Sequence, residues 1–254
     1  MVDWTIPAGY NSIVLRMNDP FGSISPSEAI AIQKELASRV VKTGTVDSAR
    51  YIAGVDVSFP SKGDIGIAAV VILEYPGLNV VEVSRECGKV TFPYIPGLLS
   101  FREIPLIIKA IQCLQNYPDL IIVDGHGLAH PRRMGIACHL GLYLDIPAIG
   151  CAKSRLCGKY SEPDTMKGSK SCLIDRDEVI GTVLRTRQDV RPVFISIGNR
   201  ISLESAEKWI LSICWKYRLP APIRQAHMAA GGLPIVTNNS KEIQGVRKSG
   251  VRIS

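Results

Sequence analysis

The sequence predicts an α/β protein built on one mixed sheet, with an antiparallel three-strand meander continued by parallel strands and flanked by helices. Three observations predict it. Strand-like runs from Tyr51 to Phe59, Ile65 to Leu73 and Val80 to Val83 follow one another closely, with turn residues between them. Short apolar runs then alternate with helical stretches, the order of parallel β–α–β units. The composition, 46% hydrophobic and 21% charged over 254 residues, is that of a folded chain able to bury a core.

The elements follow in order. Ser25-Pro26-Ser27-Glu28 is a capping box with Pro at the first helical position. Ala29, Ile32, Leu36 and Val40 then mark one helical face, and Gly44 is the expected stop. Ser61 to Asp64 and Pro76-Gly77 supply the turns of the meander. A Pro-rich loop, Phe92 to Gly97, leads into a helix from about Ser100 to Asn116. Leu120 to Val123 reads as a strand buried on both faces. A Gly/His-rich loop, a helix near Ile136 to Leu144 and a strand near Ala148 to Gly150 follow. Strands at Val179 to Leu184 and Val193 to Ile197 come next, then helices at Leu203 to Trp215 and Pro222 to Ala230. This order fits a ribonuclease-H-like architecture. No repeat or linker divides the chain, so residues 1–254 are expected to form one domain, with a mobile polar tail from Thr237.

Lys and Arg exceed Asp and Glu, 30 to 23, for a net charge of +7. A basic domain favours a polyanionic partner, nucleic acid before acidic lipid. Seven Cys without a Cys-x-x-Cys pair argue against a disulfide framework and a Cys-rich zinc site. Most are expected to be small buried hydrophobes in a reducing compartment. Met1 to Pro7 lacks the basic and apolar parts of a signal peptide, and no stretch reaches membrane-span length. A soluble cytoplasmic protein is expected.

Three acidic residues are the candidates for chemistry. Asp56 interrupts the apolar strand Ile52 to Val57, Asp124 ends the buried strand, and Glu103 opens the helix after the Pro-rich loop. Strand ends and a helix start can converge on one sheet edge, where unpaired carboxylates repel. A magnesium ion removes that cost and keeps waters for a phosphate to displace. Two such ions ~4 Å apart would stabilise the attacking and leaving oxygens of phosphodiester hydrolysis. Each residue also has an ordinary reading. Ser100 to Glu103 is itself a capping-box pattern, and Asp124 could simply turn the chain toward Gly125. Asp56 is the hardest to dismiss, since a carboxylate inside an apolar strand is costly without a partner.

The segment from Val123 to Ala137 holds three glycines, His126, His130 and the pair Arg132-Arg133, which could meet phosphates. His126 and His130 have the spacing of a helical zinc pair, but Gly127 and Pro131 break any helix there, so a zinc hydrolase is the weaker reading. Lys153 follows a short strand, where ligands of open sheets collect, although a solvated lysine is the commoner case. His227 lies beside Arg224 in the last helix and could equally be an edge histidine. Tyr94 and Ile95 offer a ring and an aliphatic wedge on a Pro-stiffened loop, or simply pack that loop.

The chain resembles the endonuclease V family. The resemblance rests on Gly54 to Phe59, Pro93 to Glu103, Val123 to His139, Cys151 to Ser154 and Arg224 to His227, and runs from about Ser25 to Ala230. It implies a ribonuclease-H-like fold with magnesium, or manganese in its place, at Asp56, Glu103 and Asp124, and catalysis supported by Lys153 and His227. It implies a strand-separating wedge at Pro93, Tyr94, Ile95 and Pro96, and phosphate contacts at His130 and Arg132. A flipped hypoxanthine would sit in a pocket of Leu99, Gly127, Gly135, Ile136 and Leu156. The implied reaction is hydrolysis of the second phosphodiester 3′ to deoxyinosine in DNA, leaving 3′-hydroxyl and 5′-phosphate ends, by a monomer without a membrane partner. Inosine-containing RNA is the alternative substrate, and a non-catalytic nucleic-acid module the alternative class. The residues from His130 to Arg133, with His227, look more like the bacterial, DNA-acting branch.

Overall fold

A computed structural model describes residues 24–60, 64–233 and 235. Helix α1 spans Pro26–Ala37 and carries the expected capping box, Ser25 and Glu28 each bonding the other's backbone N–H. It ends at Ala37, well before Gly44, with Ser38 as its cap, so Val40 is buried outside the helix rather than on its face.

One eight-stranded sheet is ordered β3-β2-β1-β4-β5-β8-β7-β6. The meander is β1 (Tyr51–Ser58), β2 (Ile65–Glu74) and β3 (Asn79–Lys89), antiparallel throughout. β4 (Leu120–Val123) pairs parallel with β1, and β5 (Ala148–Ala152) parallel with β4. β6 (Lys170–Asp175), β7 (Glu178–Leu184) and β8 (Val193–Asn199) complete the far side, β8 running antiparallel to β5. The mixed sheet, an antiparallel meander continued by parallel strands, is the ribonuclease-H-like arrangement expected.

Four expectations are corrected. β3 runs on to Lys89 rather than stopping at Val83. Its outer half, Ser84 to Lys89, is charged because it is an edge strand, and charge there discourages pairing with another chain. β6 was unexpected, since its alternation is hidden by Lys170, Ser171 and Asp175 on the opposite edge. Helix α2 (Leu99–Gln112) stops short of Asn116, where the Glu82 carboxylate accepts from the Gln115 and Asn116 backbone N–H groups at 2.7 and 2.8 Å. Of seven free thiols, Cys138, Cys151 and Cys214 are buried, but Cys87, Cys113 and Cys172 are exposed. The turn from Ser61 to Gly63, the segment from Met1 to Pro7 and the tail from Thr237 lie outside the described residues.

Helices cover both faces. Ile104, Ile107, Ile108 and Ile111 of α2 join Ala53, Val55, Ala68, Val70 and Ile72 of β1 and β2 in one apolar cluster. On the opposite face, Ala226, Ala229 and Ala230 of α5 (Ala221–Ala230) pack on Ala69, Val71 and Leu73. Each fully buried Ile or Leu contributes about 1.5–3 kcal/mol. Helix α3 (Ile136–Leu144), buried at every position, and α4 (Leu203–Ser212) complete the layers. Among the described residues no helix is long and apolar enough to cross a membrane.

Candidate active site

Three parallel strands end side by side at one sheet edge, and each delivers a charged residue there. Asp56 lies near the end of β1, Asp124 directly follows β4, and Lys153 directly follows β5. Ligands of open α/β sheets gather at such carboxyl-terminal ends. Register sets the spacing: Val55 pairs with Val123, and the Asp124 backbone N–H donates to the Val55 carbonyl at 3.2 Å.

His227 arrives from above. Gly54 and Asp56 share one face of β1 by strand alternation. A Cβ on Gly54 would lie 2.0 Å from the Pro222 carbonyl oxygen, so only glycine lets α5 lie directly on the strand. This approach brings His227 Nδ1 to 2.7 Å from Asp56 Oδ2. With the carboxylate as acceptor, Nδ1 carries the proton. Asp56 Oδ1 accepts from the Val57 N–H at 2.9 Å. Lys153 Nζ lies 2.5 Å from Asp124 Oδ2, its side chain 41% exposed against 11% for the aspartate.

The electrostatics show a site with too much negative charge for its depth. Burial, then the charge of Asp124, raises the Asp56 carboxyl above its ordinary range, while His227 and Lys153 pull it back. Burial first, then Asp56 and Asp124, pushes Glu103 up to about 8. Glu103 stands on α2 and is 9% exposed. The capping-box reading of it fails. The cap of α2 is Leu98, without a side-chain bond, and Ser100 Oγ is buried with no hydrogen-bond partner among the described residues.

Among the described residues, Asp56, Asp124 and His227 offer ligand atoms within 4.8 Å of one another. The structure thus joins His227 to two of the three expected carboxylates. Glu103 stands outside this tight group but within reach of its charge. Two carboxylates, an imidazole and a third carboxyl unable to ionise freely beside them suit a hard divalent cation.

The other expected residues fall in three places. Tyr94 is 72% exposed, between exposed Pro93 and Pro96, whereas Ile95 packs partly on Phe92, Leu98 and Phe101. Gly127, Gly135 and Ile136 are buried, and Leu99 and Leu156 exposed. Both backbone groups of Gly127 are engaged: its N–H donates to Ser196 Oγ at 2.8 Å, and its carbonyl accepts from Gly135 N–H at 3.1 Å. His130, expected to meet phosphate, stands inside the fold. It is buried, with Nε2 donating to the Gly97 carbonyl at 3.0 Å and Nδ1 accepting from the Arg132 N–H at 3.2 Å. Those bonds occupy both ring nitrogens, which also removes His130 from a zinc pair with His126. Arg132 is half-buried, its guanidinium donating to Gln33 Oε1 and Gly97 O.

Gln33 is the residue that sequence reasoning missed. It is 1% exposed and donates from Nε2 to the Gly97 and Met134 carbonyls, both at 3.0 Å. It therefore ties α1 to the Pro-rich loop and to the loop after β4. The signal was a polar residue on the buried stripe of an amphipathic helix, between Ala29 and Leu36.

Carboxylates at the ends of parallel strands, a lysine and a histidine against them, and a ribonuclease-H-like sheet beneath define a class: a nuclease, hydrolysing nucleic acid. The Endonuclease V family profile matches residues 34–228. Endonuclease V of Dehalococcoides mccartyi (strain BAV1) is 52% identical over 210 residues, covering 83% of this chain and 94% of that protein. The crystal structure of Endonuclease V from Streptomyces avermitilis is 38% identical with a TM-score of 0.79, covering 89% of this chain and 95% of that one. Endonuclease V of Ciona intestinalis, in complex with a 24mer DNA containing an inosine followed by a ribo-adenosine, is 28% identical with a TM-score of 0.72, covering 81% of this chain and 96% of that one. The chain belongs to the Endonuclease V family.

Proposed function

We propose that this nuclease is a magnesium-dependent repair enzyme that hydrolyses the second phosphodiester 3′ to deoxyinosine, leaving 3′-hydroxyl and 5′-phosphate ends. The observation that carries the metal-dependent chemistry is the convergence of Asp56, Asp124 and His227, with Glu103 behind them. The inosine specificity is supported by the family and by the inosine-containing DNA bound to the Ciona relative.

Asp56, Asp124 and Glu103 would hold the cation, with His227 at its margin. A divalent cation there supplies charge neutralisation for the phosphate and acidity for a bound water. Asp56 orients His227 through Nδ1, leaving Nε2 to hold or take a proton. Lys153 is partly exposed beside Asp124 and can turn its ammonium to the incoming phosphate, stabilising charge on the departing oxygen. Tyr94, exposed on a loop stiffened by Pro93 and Pro96, fills the gap left by an extruded base. Extrusion costs a few kcal/mol, and less at a mispaired inosine, which contributes selectivity. Buried Gly127, Gly135 and Ile136, with Leu99 and Leu156 at the rim, are the proposed seat for that base.

A magnesium-dependent nicking assay on an inosine duplex, with the cut mapped, tests this reading. A cut at the second linkage supports it, and no metal-dependent cut contradicts it. Inosine in RNA is the second reading, favoured by the ribo-adenosine that follows inosine in the Ciona complex. Matched DNA and RNA strands cleaved side by side decide between them.

A further inference from the structure

A cleft of about 770 Å³ opens beside Lys153. Its walls carry Lys153, Arg155, Arg191 and Arg218, against one carboxylate, Glu162. That carboxylate is already committed, its Oε1 lying 3.0 Å from Arg185 Nη2. Arg218 is fixed: its Nη2 donates to the Lys153 and Pro192 carbonyls at 2.6 and 2.8 Å, which ties the cleft to the strand end that carries the catalytic lysine. Arg191 is exposed and makes no hydrogen bond or ion pair among the described residues. Aromatic rings complete the lining. Tyr160 stands on buried Phe194, edge to face at 5.4 Å between centroids, and Arg155 Cζ lies 5.8 Å from the Tyr160 ring.

Arg155, whose Nη1 donates to the Gly158 carbonyl at 3.0 Å, and Arg191 have no carboxylate partner among the described residues. Such cations beside a supported aromatic ring are the two parts of a site for single-stranded nucleic acid. The cations meet phosphate and the ring meets any base. We infer that this cleft binds one unpaired nucleotide flanking the scissile linkage, with its phosphate against Arg155 and Arg191 and its base against Tyr160. The inference rests on the nuclease reading of the adjoining site. The cleft adds affinity without reading sequence, because stacking tolerates every base.

The test is equilibrium binding of 5′-fluorescein single strands, in EDTA to prevent cleavage. The strands carry a central inosine and are shortened one nucleotide at a time from either end. The native protein should lose about ten-fold in affinity at one step on one flank. Arg155→Gln/Arg191→Gln should lose no more than about two-fold at that step. Its slope of log affinity against log salt should also be shallower by about 0.7, for the one phosphate no longer neutralised. Both arginines are exposed, and the pair gives up one hydrogen bond, from Arg155 Nη1 to the Gly158 carbonyl, so the melting temperature should change little. Tyr160→Leu should shrink the same step while leaving the salt slope as it is. A native protein without such a step, or a variant with the full step, overturns the inference. Strands with adenosine in place of inosine separate the two readings. If the step persists while inosine confers no advantage, the proposed specificity fails and the cleft stands.

Discussion

Asp56 meets constraints from three sides: the Val57 N–H, the His227 ring and the nearby charge of Asp124. Removing its carboxylate should take the site's chemistry with it. Asp56→Ala is expected to lower nicking of an inosine duplex at least about 10³-fold while the protein still binds that duplex, since binding rests on phosphate contacts. Gel-based cleavage and anisotropy on one preparation measure both. Glu103 gives a pH prediction. Its carboxyl is raised from 4.5 to about 8, so without metal the folded state holds a proton that the unfolded chain releases between those values. That stability is present below pH 4.5 and is lost as pH rises toward 8. In EDTA, melting temperature should therefore fall across this window, and Glu103→Gln should flatten the fall. An unchanged slope in the variant would contradict the assignment. Asp56 was legible at this scale because an acid inside an apolar strand has few ordinary explanations. The burial of His130 was not, because its hydrogen bonds go to Gly97 and Arg132, and no local pattern announces a partner 33 residues away.

Elements place these residues, and two contacts between elements matter most. Gly54 lets α5 lie on β1, and Gly54→Ala would push a methyl into the Pro222 carbonyl. Overpacking of this kind costs about 1–3 kcal/mol, and here it also lifts His227 from Asp56. Both melting temperature and nicking rate should drop, with the rate loss exceeding that of a surface variant of equal stability. The second contact is Gln33, which holds the Pro-rich loop through Gly97 O. Gln33→Leu leaves Arg132 without its side-chain acceptor and frees the loop that presents Tyr94. Cleavage of inosine in a duplex should fall several-fold more than cleavage of inosine in a single strand, because only the duplex needs a wedge. Equal losses on both substrates would deny the loop that task. The helices and the parallel strands were readable from apolar spacing and caps. The outer half of β3 and all of β6 were not, since edge strands carry charge that masks their alternation.

Across the whole molecule, a net charge of +7 suits a polyanion, yet the site itself is acidic. On the proposed function the two signs would have separate tasks, the basic surface holding the strand and the acidic centre taking a cation before a phosphate approaches. Nucleic-acid affinity should therefore weaken steeply with salt, by about 0.7–0.9 in log–log slope for each phosphate held. Cleavage should depend on divalent metal at every salt concentration. The layered sheet makes this possible by bringing residues from β1, α2, β4, β5 and α5, distant in sequence, to a single edge.

The most direct measurement is cleavage of an end-labelled duplex with one deoxyinosine, with and without magnesium, and with the product sized to the nucleotide. The account predicts a single nick at the second phosphodiester 3′ to inosine, present with magnesium, absent in EDTA and absent in Asp56→Ala. A nick that persists in EDTA, or that Asp56→Ala makes at the native rate, would contradict it.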